Sequence, residues 1–309
     1  MSNMNDAIGL RIRYGNANAQ YETEYEPASG TIWGYFNPRG RPCFSLGLLR
    51  DIRLHDSALA VNGGKVEIEG DLHSPKFYVC GSRVPAVFNL GGDLSLFLML
   101  IRSKDRQALS AYARMCIDNM FARIQNYYAP NLITLSMVQG DALGGGFECA
   151  LSSDVVVAER GTQLGLPEIL FNMFPGMGAY SLLARRVGMR DAEKMMLSGR
   201  MMSAEELHAA GVVDVLANPG EAEAATSEWI ARASKRHNGM QAVLRARTLV
   251  HPITRQELDS IAEVWVDAAF RLTEKDLRMM GRIVRSQLRL SEHTAEAETA
   301  TVEPMAAAV

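Results

Sequence analysis

The chain has 309 residues, nearly half of them apolar, with a formal charge of −3. That length supplies a core for one large domain or two smaller ones, and the near-neutral balance excludes a global electrostatic attraction to nucleic acid or to an anionic membrane. Cys43, Cys80, Cys116 and Cys149 form no C-x-x-C pair and the six histidines are dispersed, so no metal site is expected and the thiols read as small core residues of a reducing compartment. The opening MSNMNDAIGLRIRYG has no apolar h-region, and the most apolar stretch, 94–101, is far too short for a bilayer. The expectation is a cytoplasmic protein.

In chain order, residues 1–18 are polar and expected to be poorly ordered. Segments 21–26 and 31–36 read as paired strands. Short buried strands follow at 77–80 and 86–88, then one long helix from about 93 to 126. Residues 132–138 are β-rich, 144–151 turn helical, and 154–158 return to strand. This alternation predicts an α/β fold. At Ser203 the run S-A-E-E is a capping box opening a short helix that ends near Gly211, and 212–216 is the last strand. Beyond about Pro219 only helical patterns remain. The reading is therefore an α/β core over 19–217, a helical C-terminal region over 218–290 that covers a pocket or serves oligomerisation, and an Ala/Glu/Thr-rich disordered tail over 291–309.

Three segments carry chemistry. In V-Q-G-D-A-L-G-G-G-F-E (138–148) a β-run ends in glycines just before a helix. Glycine lets the backbone approach a ligand closely, and the first N–H groups of a helix lack helical partners, so the turn suits a developing oxyanion with Glu148 at its mouth. A glycine-rich turn with an exposed helix-start glutamate is the plainer alternative. V-F-N-L-G-G-D (87–93) repeats the design with Asp93 as N-cap, although an ordinary capped turn would look the same. In G-L-P-E-I-L-F-N-M-F-P-G-M-G (165–178), Glu168 stands in an apolar run, where a carboxylate must be paired, raised in pKa or functional. One strand separates the two glutamates, and a chain that folds back there would let them divide acid and base roles.

Taken together, A-L-G-G-G-F-E (142–148), G-L-P-E-I (165–169), P-G-M-G (175–178) and L-S-G-R-M-M-S-A-E-E-L-H-A-A-G-V-V-D (197–214) resemble the enoyl-CoA hydratase/crotonase superfamily, in that family's order and over roughly 30–217. V-F-N-L-G-G-D resembles its first oxyanion-hole motif. The resemblance implies a crotonase-like spiral of β-β-α units. The longer runs V-F-N-L-G-G-D-L-S-L-F, L-P-E-I-L-F-N-M-F-P-G-M-G-A-Y-S and E-V-W-V-D are similar to the diffusible signal factor synthases within it, and this similarity extends into the C-terminal helices.

By position, the resemblance implies catalytic roles for Glu148 and Glu168, oxyanion-hole N–H groups at Asn89 and Gly145, and substrate contacts at Leu143, Gly144, Met177, Trp265 and Ile283. A side chain at Gly145 is expected to displace the thioester oxygen. The implied reaction dehydrates a 3-hydroxyacyl-[acyl carrier protein] thioester and then hydrolyses the cis-2-enoyl thioester to the free fatty acid, without a cofactor; the more apolar flanks of Glu168 make it the expected acid at the hydroxyl. An enoyl-CoA hydratase of fatty acid metabolism would use the same constellation. A non-catalytic acyl-binding or signalling module would need neither both glutamates nor both hole motifs. The superfamily implies a homotrimer or dimer of trimers, and the subfamily a signalling kinase receiver domain as a further partner. Finally, Arg271, Lys275, Arg278, Arg282, Arg285 and Arg289 stack at helical spacing beside an apolar stripe of Leu277, Met280, Val284 and Leu288. That basic stripe is either an ordinary solvated face or a docking face for an acidic acyl carrier protein.

Overall fold

The computed structural model describes residues 9–287. Its strands are β1 (Ile12–Tyr14), β2 (Tyr21–Glu26), β3 (Thr31–Phe36), β4 (Val66–Ile68), β5 (Asp71–His73), β6 (Phe77–Ser82), β7 (Val87–Asn89), β8 (Ile133–Val138), β9 (Asp141–Leu143), β10 (Val155–Glu159), β11 (Gln163–Gly165), β12 (Met201–Ser203) and β13 (Val215–Ala217). Its helices are α1 (Leu46–Val61), α2 (Leu94–Arg102), α3 (Arg106–Ile124), α4 (Gly145–Leu151), α5 (Ala179–Val187), α6 (Met189–Ser198), α7 (Ala204–Ala209), α8 (Ala222–Ser234), α9 (His237–Val250) and α10 (Arg255–Ala269). A last helical run covers 274–287.

The repeating unit is a strand in a large sheet, a strand in a small sheet, and a helix. The large sheet has the order β1-β2-β3-β6-β8-β10-β13, antiparallel at the β1-β2-β3 end and parallel from β3 onward. The small sheet has the order β12-β11-β9-β7, with β7, β9 and β11 parallel. Thus β6-β7, β8-β9 and β10-β11 are three successive turns of a spiral, each continued by helix. This is the crotonase-like α/β architecture with a helical C-terminal region that the motifs implied.

Alternation along the strands explains why the large sheet is apolar on both faces. Ile32 and Phe36 of β3, with Tyr78 and Cys80 of β6, face the main core beneath α1, α3 and α10. Trp33 and Tyr35, with Phe77 and Val79, face a second core closed by Ile230 and Ala233 of α8.

Several expectations change. Residues 93–126 form two helices, not one. Ser103 caps α2, Lys104 takes a left-handed φ of 57°, and the Asp105 side chain accepts from the Ala108 N–H to start α3. The S-K-D tripeptide is a stop followed by an N-cap, which an apolar pattern running through it conceals. Residues 1–8 lie outside the described residues, but Ile12–Tyr14 forms the edge strand β1 instead of a loose segment. The last strand of the core starts at Val215, because Val212 and Val213 are spent on closing α7 against Leu207 O. The Ser203–Glu206 capping box is present as read. The 291–309 tail lies outside the described residues. Among them, no helix is long and apolar enough to cross a membrane.

Candidate active site

Parallel strands end on the same side, and that is what gathers the site. Asn89 of β7 pairs with Ala142 of β9, and Leu143 of β9 pairs with Gly165 of β11. The three following turns, 90–93, 144–145 and 166–168, therefore emerge side by side at the C-terminal edge of the small sheet, the end where open α/β sheets place ligands. The Gly144 N–H donates to Gly165 O at 2.8 Å, which ties the second turn to the third.

Glu148 lies in the first turn of α4 and is 1% exposed. Its Oε1 accepts from the N–H groups of Met177 and Ala179 at 2.8 and 2.9 Å. These come from the P-G-M-G turn that starts α5. Burial pushes the carboxyl up to about 7, against the opposing pull of the two N–H bonds.

Glu168 sits in a 3-10 turn, Pro167–Phe171. The residue is half-buried, but its Oε2 is sealed from solvent and has no hydrogen-bond partner among the described residues. Burial, and then the neighbouring charge of Glu148, push this carboxyl up to about 8. Its Oε1 lies directly over Gly144, in the space a Cβ would take there.

The glycines differ in what they do. Gly144 has a φ of 51° and lies beneath Glu168; Gly146 packs on the Asn89 carbonyl. Neither has room for a side chain. A Cβ on Gly145 would meet Gly91 Cα at 3.4 Å and Gly92 N at 3.5 Å, which are ordinary contacts. The expected intolerance of Gly145 is thus not steric in the empty site. Its N–H leads α4 and has no carbonyl one turn back to receive it.

One cavity connects these parts. It is bordered by Leu143, Gly144, Gly145, Glu148, Glu168 and Met177, and by Trp265 of α10 and Ile283 of the last helix. Trp265 packs edge-on against Phe97 with centroids 5.1 Å apart and fills the space beside Gly176. Asn89 is the exception. It is fully buried, does not border the cavity, and turns its side-chain carbonyl to the Gly91 N–H at 2.8 Å. Its neighbours Leu90 and Gly92 border the cavity instead, with the Leu90 N–H held by Pro42 O at 2.8 Å. With the Gly91 N–H spent on Asn89 Oδ1 and the Leu90 N–H on Pro42 O, Gly92 is left with the N–H of this turn that can face a ligand.

The cavity also reaches residues that sequence reasoning missed: Asp56, Asn119 and Arg123. A signal existed for Asp56. The buried positions of α1 are Leu48, Leu49, Ile52, Asp56 and Leu59, so a carboxylate occupies its apolar stripe. Among the described residues no group of three or more His, Cys, Asp or Glu is gathered to hold a metal.

Comparison with known proteins agrees with this fold. Residues 78–282 match the family model described as enoyl-CoA hydratase/isomerase. A peroxisomal fatty acid beta-oxidation multifunctional protein of Arabidopsis thaliana is 32% identical over 142 residues, 46% of this chain and 19% of that protein. The chain thus spans about a fifth of the length of such curated relatives. Among solved structures, human mitochondrial delta3-delta2-enoyl-CoA isomerase superposes with a TM-score of 0.67 at 18% identity, covering 89% of this chain and 99% of that one. An enoyl-CoA hydratase from Bacillus halodurans has a TM-score of 0.67 at 19% identity, covering 84% and 100%. With two thirds of its length matched and the spiral in place, the chain belongs to the enoyl-CoA hydratase/isomerase family.

Proposed function

We propose that the protein is an acyl-thioester hydro-lyase of fatty acid metabolism that adds or removes water across C2 and C3. The observation that carries this is the pair of buried carboxyls on one cavity, one raised to about 7 and the other to about 8. Near neutral pH such a pair holds about one proton, which favours Glu168. One member then serves as base while the other serves as acid. A pure isomerase or a binder needs no such division.

In hydration, ionised Glu148 takes a proton from water as the water oxygen bonds to C3. The C2–C3 π electrons move onto the thioester oxygen. That oxyanion is held by the Gly145 N–H and by the Gly92 N–H, since those of Leu90 and Gly91 are taken by Pro42 O and Asn89 Oδ1. Each such donor contributes roughly 3–4 kcal/mol in comparable sites. Glu168 then protonates C2. We assign Glu168 to C2 because its carboxyl lies over Gly144, next to the residue that holds the carbonyl. This reverses the division expected from the flanking residues. Dehydration runs the same path backwards.

A second reading keeps the site and adds thioester hydrolysis, releasing a cis-2-unsaturated fatty acid signal from a carrier protein. It is supported by Trp265 and Ile283 bordering the same cavity as the glutamates, where the resemblance to diffusible signal factor synthases puts acyl-pocket residues. Incubation with 2-enoyl-CoA and with 3-hydroxyacyl-carrier protein, followed by mass analysis, tests both. Hydrated or dehydrated thioester supports the first reading, free cis-2-enoic acid supports the second, and no turnover of either substrate overturns both.

A further inference from the structure

The cavity does not stop at the glutamates. It continues inward between α1 and α3, where one face of each helix lines it. On α3 the lining residues are Tyr112, Cys116, Asn119 and Arg123, at spacings of four, three and four; on α1 they are Leu49, Ile52 and Asp56. From Cys116 to Arg123 is about 10 Å of helix rise. The α1–α3 part of the lining carries the polar side chains of Asp56, Asn119 and Arg123.

That part of the lining is unsatisfied. Asp56 is 2% exposed and Asn119 is 8% exposed. Asp56 Oδ2 and Asn119 Oδ1 have no hydrogen-bond partner among the described residues. The other atoms of both side chains are anchored: Asp56 Oδ1 to His55 Nδ1 at 3.3 Å and Asn119 Nδ2 to Leu49 O at 3.0 Å. The nearby cation is already committed. Arg123 donates to Ser153 Oγ at 2.7 Å, to Leu135 O at 2.7 Å and to Tyr127 OH at 3.2 Å.

Buried polar atoms are normally hydrogen-bonded, and two orphans on the lining of one cavity call for a donor inside it. The end methyl of a plain acyl chain supplies none. A carboxylate would add a third acceptor to two that already lack a donor. An ammonium would stand close to that guanidinium. A hydroxyl donates to either orphan without bringing a charge.

We propose that the floor formed by Asp56 and Asn119 is a polar subsite for a hydroxyl on the distal end of the acyl chain, so that the protein selects acyl thioesters carrying such a group. This rests on the acyl-thioester reading of the glutamate site. It is tested with two series of 2-enoyl-CoA thioesters of increasing length, one ending in methyl and one in hydroxymethyl. At the length that reaches the floor, the hydroxyl-terminated substrate should show roughly ten-fold higher kcat/KM. Shorter pairs should not differ. Asn119→Leu, which keeps the branching but is apolar, should abolish or invert the preference while leaving turnover of short substrates intact. Asp56→Asn keeps the shape and serves if Asn119→Leu does not fold. Equal or better use of the methyl series at every length overturns the inference and assigns the floor to ordered water. Calorimetric binding of the two saturated acyl-CoA series reads the subsite without chemistry. A retained hydroxyl preference in binding with no turnover would sink the hydro-lyase reading and leave the subsite standing.

Discussion

At the scale of single residues, the two carboxyls differ in what protonation does to them. Both are raised by burial, so in the proposed mechanism the active form is the singly protonated pair. Below about 7 Glu148 takes up a proton and the base is lost; above about 8 Glu168 ionises and the acid is lost. The expected kcat/KM profile is a bell with its maximum between these limbs, read on the free enzyme. Glu148→Gln and Glu168→Gln should each lower kcat by about 10²–10⁴-fold with the fold retained, measured by steady-state kinetics beside circular dichroism. Stability should move the other way. A carboxyl whose folded pKa lies above its unfolded value holds its proton in the folded state where the unfolded chain has released it. Its stabilising share is complete below the unfolded value near 4.5 and is lost as pH rises through the folded value. Glu168→Gln removes that loss, so it should melt above wild type at pH 8 and level with it near pH 4. Each kcal/mol recovered corresponds to about 2–4 °C. A third substitution separates geometry from charge. Gly144→Ala forces a Cβ at positive φ into the Glu168 carboxyl. A displacement of that size should cut kcat by roughly 10²-fold, more than Gly145→Ala, whose Cβ meets only ordinary contacts.

At the scale of elements, the C-terminal helices act on the cavity they cover. Trp265 is buried on α10 between Phe97 and Gly176. Trp265→Ala should destabilise by about 3–5 kcal/mol in a denaturant titration. It should also shift the acyl-length preference toward longer chains; an unchanged product profile would restrict Trp265 to packing. The last helical run shows the two stripes expected of it: Leu277, Met280 and Val284 are buried, while Lys275, Arg278, Arg282 and Arg285 are exposed; Arg271, also exposed, lies in the turn before the helix. Leu288 and Arg289 lie outside the described residues. If this basic face steers an acidic carrier protein, the double variant Arg278→Glu/Arg282→Glu should raise KM for the carrier-bound substrate. The effect should be largest at low salt, and a short thioester without the carrier should be unaffected. Equal effects on both substrates would make the stripe an ordinary surface.

At the scale of the whole molecule, α9 has no buried residue in the single chain, and Val243, Leu249 and Val250 on it are 69%, 76% and 71% exposed. A fourteen-residue helix that packs on the second core only through the partly buried Met240 and Leu244, yet exposes three large apolar side chains, is best used between copies. The expected homotrimer or dimer of trimers can be read by sedimentation velocity, and Val243→Asp/Leu249→Asp should shift it toward monomer. A monomeric wild type would remove oligomerisation from the role assigned to this region.

The sequence by itself determined the elements whose signals are local. The glycine turn before Glu148, the capping box at Ser203 and the β-rich runs at β2, β3 and β8 are set by residues within a few positions of one another, and they appear as read. Glu168 was legible as a carboxylate in an apolar run, for the same reason. Only the tertiary structure decided which turns meet. The parallel ends of β7, β9 and β11 bring residues 90–92, 144–145 and 168 to one edge, a matter of strand register. The polar floor was hidden for a related reason: Asp56 and Asn119 sit on different helices, 63 positions apart, and become one site only when α1 packs on α3. No local pattern encodes a space between two helices, since its walls are defined by burial that exists only once the chain has folded.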